Sequence, residues 1–352
     1  MSWQNFVFSL ILKSSQRQLM RLSAQHRLLR SRKWMAVNRS KPDPAVQVRT
    51  EVIAGVPVEW VVPQALATQN KPVICVYLHG GAFVAGGPNS HRDMASYLAK
   101  KAGVWMLMVD YRLAPEHPFP AALEDASVLY LELLERGIEA NQLVMGGDSA
   151  GGNLALSTLQ FLRDSDVPLP AAMFYFSPWL DLRNNSPSHQ RNAANDAMLN
   201  TPLLDEAAQR YAPDMLRGDA KVSPLLGGMS GLPPCLIVAS AREVLQDDAL
   251  FLRDKLQTSG VAVLYQESAK APHAFPVLAR WLPEARAALD GTAQFILQHV
   301  GALAPARPAK VGAKSQAQAQ AKAQTRAQAD ATSTAHGAAS RPAGKASGDQ
   351  RP

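Results

Sequence analysis

Ser149 stands in the stretch Val144 to Asn153, read VMGGDSAGGN, where an apolar run stops at Gly146 and a helical pattern opens beyond Gly152. The spacing Gly147-x-Ser149-x-Gly151 between a strand and a helix is that of a nucleophile elbow. Such a turn leaves no room for side chains two residues before or after the serine, and it strains the serine backbone. It lifts the hydroxyl clear of the sheet and aims a helix N-terminus at whatever reacts there. The pattern alone is weak: a Gly-rich strand–helix turn is spelled the same way, and roughly one chain in ten of this length matches by chance. Seventy residues upstream, His79-Gly80-Gly81-Ala82-Phe83 directly follows another apolar run. Acyl transfer builds negative charge on a carbonyl oxygen, and holding that charge takes backbone N–H groups brought close by small residues. The N–H of Ala150, just after the serine, and the N–H groups of the His-Gly-Gly loop are the two halves of such an oxyanion hole.

An elbow serine needs an acid and a histidine, in the chain order Ser, acid, His. Past residue 200 the histidines are His273, His299 and His336. His299 falls near the end of a helical pattern and His336 in a low-complexity tail. His273 lies between the strand pattern Val261 to Gln266 and a following helix, which makes it the expected base. The acid should follow the strand pattern Cys235 to Ala239, where Glu243, Asp247 and Asp248 stand. Glu243 occupies the loop just past the strand. Asp247 and Asp248 fall where a helix begins, a place where carboxylates serve the helix N-terminus. Glu243 is the expected acid, with Asp247 as the alternative.

The elements that must position these residues follow a regular alternation. Val46 to Ile53 and Val56 to Val62 read as a hairpin about Ala54-Gly55. From Pro72 on, strand patterns (Val73 to Leu78, Val104 to Val109, Gln142 to Met145, Ala171 to Phe176, Cys235 to Ala239, Val261 to Gln266) alternate with helical ones (Ser90 to Ala102, Pro120 to Glu135, Asn153 to Leu162, Asp247 to Thr258, Glu284 to Val300). Continuous apolar strands alternating with helices predict an α/β fold with a mostly parallel sheet covered on both faces. The alternation lapses between Asp181 and Leu232, a polar stretch with a helical piece around Leu203 to Tyr211. Because it follows a strand end, it is expected above the carboxyl edge of the sheet, where ligands bind in such folds.

The first forty residues place Trp3, Phe6, Val7, Leu10, Ile11, Leu19, Leu22, Leu28 and Leu29 among Lys13, Arg17, Arg21, Arg27 and Arg30. This predicts one or two amphipathic helices with a basic outer face, lidding the body, with contact to an anionic membrane surface as the alternative. A break at Lys41-Pro42-Asp43-Pro44 ends them. Residues 301–352 are Ala, Gln, Lys, Ser and Thr with almost no large apolar side chain, and are expected to be disordered. The net charge of +7 is uneven: residues 1–42 hold nine Lys or Arg and no acid, and residues 301–352 hold eight basic and two acidic residues, so 43–300 carries −8. An acidic body argues against nucleic acid as a partner. Cys75 and Cys235 each sit in an apolar strand pattern and are expected to be buried free thiols, with no disulfide framework and no metal site. The apolar run Phe6 to Leu12 has no basic residue before it and is too short to span a bilayer, so the cytoplasm is the default compartment.

Together, His79-Gly80-Gly81-Ala82-Phe83, Asp110-Tyr111-Arg112-Leu113-Ala114-Pro115-Glu116-His117-Pro118-Phe119-Pro120, Gly147-Asp148-Ser149-Ala150-Gly151-Gly152 and His273-Ala274-Phe275 resemble the hormone-sensitive-lipase-like branch of the α/β-hydrolases over roughly residues 71 to 300. The resemblance implies a carboxylic-ester hydrolase with Ser149 as nucleophile, His273 as base and oxyanion donors at Gly81, Ala82 and Ala150, using no cofactor and no metal. It also implies a cap, giving the organisation 1–45 and 181–222 as cap, 46–180 and 223–300 as catalytic domain, and 301–352 as tail. Two departures stand out. The third glycine of the loop is Ala82, whose methyl group trims room for the acyl group. The branch's usual acid is an Asp, and here the position holds Glu243. The expected partner is a small ester with a short-to-medium acyl chain, or a lactone. An amidase or deacetylase on the same triad is the alternative, and a non-catalytic ligand receptor is a third reading that the presence of His273 argues against. A homodimer stays open.

Overall fold

The computed structural model describes residues 2–37 and 43–300, so the expected tail and the Lys41-Pro42 half of the expected break lie outside the described residues. Eight strands form one sheet: β1 (Val46–Ile53), β2 (Val56–Pro63), β3 (Ile74–Leu78), β4 (Trp105–Val109), β5 (Leu143–Asp148), β6 (Ala172–Phe176), β7 (Cys235–Ser240) and β8 (Val263–Ser268). Their order is β1-β2-β4-β3-β5-β6-β7-β8. From β4 to β8 every pairing is parallel, while β1 and β2 add an antiparallel edge. The hairpin turns where expected, with Ile53 paired to Val56 and positive φ at Ala54 and Gly55, the tight turn whose twist suits a two-residue loop. β3, β5, β6 and β7 are buried throughout, as continuous apolar strands sandwiched between helices must be. Cys75 and Cys235 are buried free thiols in β3 and β7.

The crossover helices are α3 (Pro88–Ala102), α4 (Ala121–Glu135), α5 (Ala150–Asp164), α8 (Gln246–Thr258) and α9 (Pro283–Val300). α3 and α9 pack on one face, where Met94, Leu98, Leu289 and Ile296 meet Cys75, Tyr77, Phe174 and Phe176. Side chains alternate across a strand, so Ile74, Val76 and Leu78 supply the opposite face, which α5 covers with α4 packed beside it. Several boundaries differ from the sequence reading: α3 starts two residues earlier, at Pro88, and β5 runs three residues further, to Asp148. α5 starts at Ala150, because the elbow hands the chain directly from strand to helix. β8 runs two residues later than the apolar pattern suggested, because Glu267 and Ser268 at the sheet edge stay paired with Ala239 and Ser240 of β7.

Above the carboxyl edge, the segment between β6 and β7 carries the short α6 (Ser188–Arg191) and α7 (Thr201–Tyr211). Asn200 caps α7 by accepting from the N–H of Leu203, with Pro202 in the first turn. The N-terminal α1 (Trp3–Met20) and α2 (Ala24–Val37) lie against this segment: Lys13 donates to the Ala194 carbonyl, Gln16 to that of Leu199, and Arg27 pairs with Glu206. The α1 start is fastened to the body by Ser2 on Glu284 and by buried Asn5 on the Lys270 carbonyl. The expectation of a basic outer face is corrected here. Trp3, Phe6, Val7, Leu10 and Ile11 are exposed, and only further along the helix does the outside turn basic, with Arg17 and Arg21. The inner face is held by Phe8, which packs against the core, and by polar contacts from Ser2, Asn5 and Gln16, and the stripe from Trp3 to Ile11 faces outward.

Candidate active site

Ser149 sits at the junction of β5 and α5 with φ 52° and ψ −121°, a conformation that costs a non-glycine residue on the order of 1–3 kcal/mol. Its two glycines explain how the turn closes. A Cβ at Gly147 would stand 2.5 Å from the Gly151 carbonyl oxygen, and one at Gly151 would stand 2.0 Å from that of Leu78. The elbow is tied to the neighbouring strand end: Ser149 N–H donates to the Phe176 carbonyl (3.0 Å), and Trp179 N–H donates to the Ser149 carbonyl (3.0 Å). Between those two partners lies Ser177, whose hydroxyl accepts from the N–H of Ala274 at 3.0 Å. The loop bearing His273 is thereby fastened beside the elbow.

His273 and Glu243 are in direct contact, with Nδ1 2.5 Å from Oε2 and only 4% and 1% of the side chains exposed. The second carboxylate oxygen of Glu243 accepts from the N–H of Ser240 at 2.8 Å, which fixes the plane of the group. Burial alone would lower the His273 pKa, but the hydrogen bond and charge of Glu243, with Asp196 and Asp148 further off, overcome it and raise it above the ordinary imidazole value. The alternative acids contact groups other than the imidazole. Asp248 accepts from the N–H groups of Leu180 (2.7 Å) and Asp181 (3.1 Å), and Asp247 accepts from Ser188 N–H (2.7 Å) and pairs with Arg191 (2.5 Å). Both stand in the first turn of α8, as expected, and also hold the segment above the sheet. Burial pushes the Asp248 carboxyl up to about 7.

The His79–Phe83 loop lies after β3, the neighbour of β5. The N–H groups of Gly81, Ala82 and Ala150 donate to no acceptor among the described residues, which leaves them free for a ligand oxygen. Ala82 has φ 56° and Phe83 φ 62°, left-handed values that explain why glycine is the usual residue at the third loop position. The loop is pinned by Asp148, whose Oδ1 accepts from Gly80 N–H (2.8 Å) and the Tyr77 hydroxyl (2.9 Å) and faces His91 Nε2 at 3.0 Å. Burial would raise Asp148, but His91 and these donors keep it below the usual carboxylate value. His79 stacks on Tyr111 at 4.3 Å, and burial drops its pKa to about 4, so it serves as a neutral wedge under the loop.

Sequence reasoning missed this support. Asp148 lay in plain view inside the serine motif, but nothing in the spacing linked it to His91 on α3. It also missed Asp196, buried, whose Oδ1 accepts from Met198 and Leu199 N–H (both 2.8 Å) and whose Oδ2 accepts from Val244 N–H (2.9 Å), one residue past Glu243. Trp179 is fully buried with its indole N–H on Asn184. Phe83 stacks on Tyr211 at 3.7 Å, so the space behind the loop is filled with aromatic rings. A cleft of about 140 Å³ reaches His273 and Glu243 from the side of α1, between Lys13, Asp196 and Arg242.

A family model described as the alpha/beta hydrolase fold matches residues 75–277. The chain is 40% identical over 243 residues to an acetyl-hydrolase from Streptomyces hygroscopicus, covering 69% of this chain and 80% of that one. It is 36% identical over 254 residues to an esterase from Acinetobacter venetianus, covering 72% and 82%. Its fold superposes with a TM-score of 0.78 and 31% identity on an esterase/lipase from an uncultured bacterium, covering 86% of this chain and 100% of that one. An esterase from the bacterial hormone-sensitive lipase family gives 0.78 at 30% identity, covering 86% and 99%. The chain belongs to the α/β-hydrolase family, in the hormone-sensitive-lipase-like branch that its motifs resemble. It is an enzyme, a carboxylic ester hydrolase.

Proposed function

We propose that the protein is a serine carboxylesterase for short-to-medium acyl esters, working through a Ser149–His273–Glu243 triad and an acyl-enzyme. The carrying observation is the buried 2.5 Å contact between His273 and Glu243 on the loop fastened beside a strained serine elbow. Glu243 holds the imidazole proton on Nδ1, so that Nε2 is free to take the proton of Ser149 as its oxygen attacks the ester carbonyl. The tetrahedral oxyanion settles on the N–H groups of Gly81, Ala82 and Ala150. Collapse expels the alcohol with the proton from His273, and water activated by the same imidazole then releases the acid. The Ala82 methyl and the aromatic packing behind it support the short end of the acyl range, as does the name of the Streptomyces relative, acetyl-hydrolase. The segment 181–222 and helices α1 and α2 serve as the cap over this site, a role supported by the bonds of Lys13, Gln16 and Arg27 to that segment.

Hydrolysis of p-nitrophenyl acetate, butyrate and octanoate by the full chain tests the reading. Turnover should be greatest at the shorter chains and abolished in Ser149→Ala. A folded Ser149→Ala protein that keeps its rate, or a wild type that prefers matched N-acetyl amides, would overturn it.

A further inference from the structure

Helix α1 presents two different faces. Its inner face is anchored by Phe8, packed against the core, and by Asn5, Ser9 and Gln16, which reach the body or stay part-buried against it. Its outer face carries Trp3, Phe6, Val7, Leu10 and Ile11, spaced i, i+3, i+4, i+7 and i+8, with Trp3 73% exposed and the other four near half. Large side chains at that spacing, exposed together, form a contiguous apolar stripe rather than scattered surface residues. The same side of the helix continues into Arg17 and Arg21, both exposed, and α2 adds exposed Arg30 and Lys33. No acid lies in residues 1–42, whereas residues 43–300 carry −8. A second copy would bring the same cations against these, and the acidic body would itself be repelled by an anionic surface.

We propose that the outer face of α1 docks on an anionic lipid surface, with Trp3, Phe6, Val7, Leu10 and Ile11 entering the headgroup–acyl boundary and Arg17, Arg21, Arg30 and Lys33 facing the lipid charge. Apolar insertion combined with several cations is what an in-plane interfacial helix requires. No helix among the described residues is long and apolar enough to cross a membrane, so the contact is peripheral. The cleft that reaches His273 and Glu243 is walled on its α1 side by Phe6 and Leu10, so docking would seat that flank of the site against the lipid; this consequence rests on the function proposed above.

Flotation of the full chain with vesicles tests docking without reading turnover. Vesicles of phosphatidylcholine with about one-third phosphatidylglycerol should carry the protein, and pure phosphatidylcholine or raised salt should release most of it. Trp3→Ser/Val7→Ser/Ile11→Ser, whose side chains face away from the body, should lose binding while p-nitrophenyl butyrate turnover in solution stays at the wild-type rate. Arg17→Glu/Arg21→Glu should weaken binding to the anionic vesicles by at least about fivefold per cation removed. Absence of flotation, or flotation unchanged in the triple variant, would overturn the proposal. So would a dimer in light scattering that the triple variant dissolves, since the stripe would then belong to a second copy.

Discussion

Replacing Glu243 by Gln isolates what the carboxylate does, because the shape is kept and only one oxygen changes. In the native site the two oxygens face two donors, Ser240 N–H at 2.8 Å and His273 Nδ1 at 2.5 Å. A Gln amide has one acceptor. If its oxygen stays on Ser240, its NH2 faces Nδ1, the imidazole proton must move to Nε2, and the base can no longer accept from Ser149. If the amide flips, His273 keeps its tautomer but two buried donors oppose each other at Ser240, at a cost of about 1–3 kcal/mol. The productive form is then reduced roughly 5- to 150-fold, before counting the lost charge that stabilises the imidazolium. In serine proteases the equivalent exchange costs about 10⁴ in kcat through the same wrong tautomer. The expected loss is therefore about 10³ to 10⁴, a barrier increase of about 4–5.5 kcal/mol. The assay is kcat on p-nitrophenyl butyrate, normalised to titrated sites, with the melting temperature measured alongside. Asp247→Asn is the control, since Asp247 binds Ser188 and Arg191 rather than the imidazole, and it should cost less than about tenfold. A Glu243→Gln enzyme within tenfold of wild type, or an Asp247→Asn enzyme equally crippled with its fold intact, would refute the assignment.

The remaining expectations concern the loop, the pH profile and a buried acid. Ala82→Gly removes the methyl from a left-handed residue, so the folded state gains about 1 kcal/mol at most after the added freedom of the unfolded chain; kcat/KM for hexanoate relative to acetate should rise about tenfold, and an unchanged ratio would show that the methyl does not border the acyl group. Because the His273 pKa is raised and the base must be neutral, kcat/KM should fall as pH drops through a midpoint above the ordinary imidazole value; Glu243→Gln removes the principal raising contacts and should move that midpoint toward acid in its residual activity, whereas a midpoint that stays in place would show another group limiting the rate. Asp248, held up at about 7 by burial, binds its proton in the folded state while the unfolded chain has lost it, so stability declines as pH rises from the ordinary carboxylate value to about 7; Asp248→Asn keeps an acceptor for Leu180 and Asp181 without that penalty, and its melting temperature should match wild type near pH 4 and exceed it by several degrees at pH 8.

The strands and the serine elbow were legible in the sequence because each obeys a strong local rule. Buried parallel strands must be continuously apolar, and a serine elbow cannot close around side chains at Gly147 and Gly151. The pairing of His273 with Glu243 was within reach by elimination, since the expected chain order calls for a late loop and few histidines lie late. What was hidden depends on long-range pairing. Asp148 meets His91 only because α3 crosses back over β3, and Asp196 meets Val244 only because the segment above the sheet folds down onto the loop after β7. No spacing rule encodes either contact. The outer face of α1 was misjudged for a related reason: periodicity shows that a helix has two faces, but which one meets the body depends on partners such as Glu284 and the Lys270 carbonyl, far along the chain.

That downward fold also bears on the unusual acid. The loop carrying Glu243 is gripped from above at several points: Asn192 donates to the Glu243 carbonyl (2.9 Å), Ser188 donates to the Val244 carbonyl (2.6 Å), and Asp196 accepts from Val244 N–H (2.9 Å). Glutamate has one more rotatable bond than aspartate, and that freedom must be removed for the carboxylate to hold one imidazole tautomer. Ser240 N–H and this grip on the backbone remove it. The geometry is consequently set for the longer side chain: Glu243→Asp would withdraw the carboxylate by about 1.5 Å, the length of one C–C bond, out of contact with either Nδ1 or Ser240. Although aspartate is the usual acid in the branch, the expected result here is a loss of about tenfold or more in kcat, well short of the loss in Glu243→Gln because the charge remains nearby. Paired with Asn192→Ala, which frees the loop from the segment above it, Glu243→Asp should recover part of that loss as the loop shifts toward His273. Wild-type activity in Glu243→Asp alone would show that the loop already moves freely and that the grip does not set the reach of the acid.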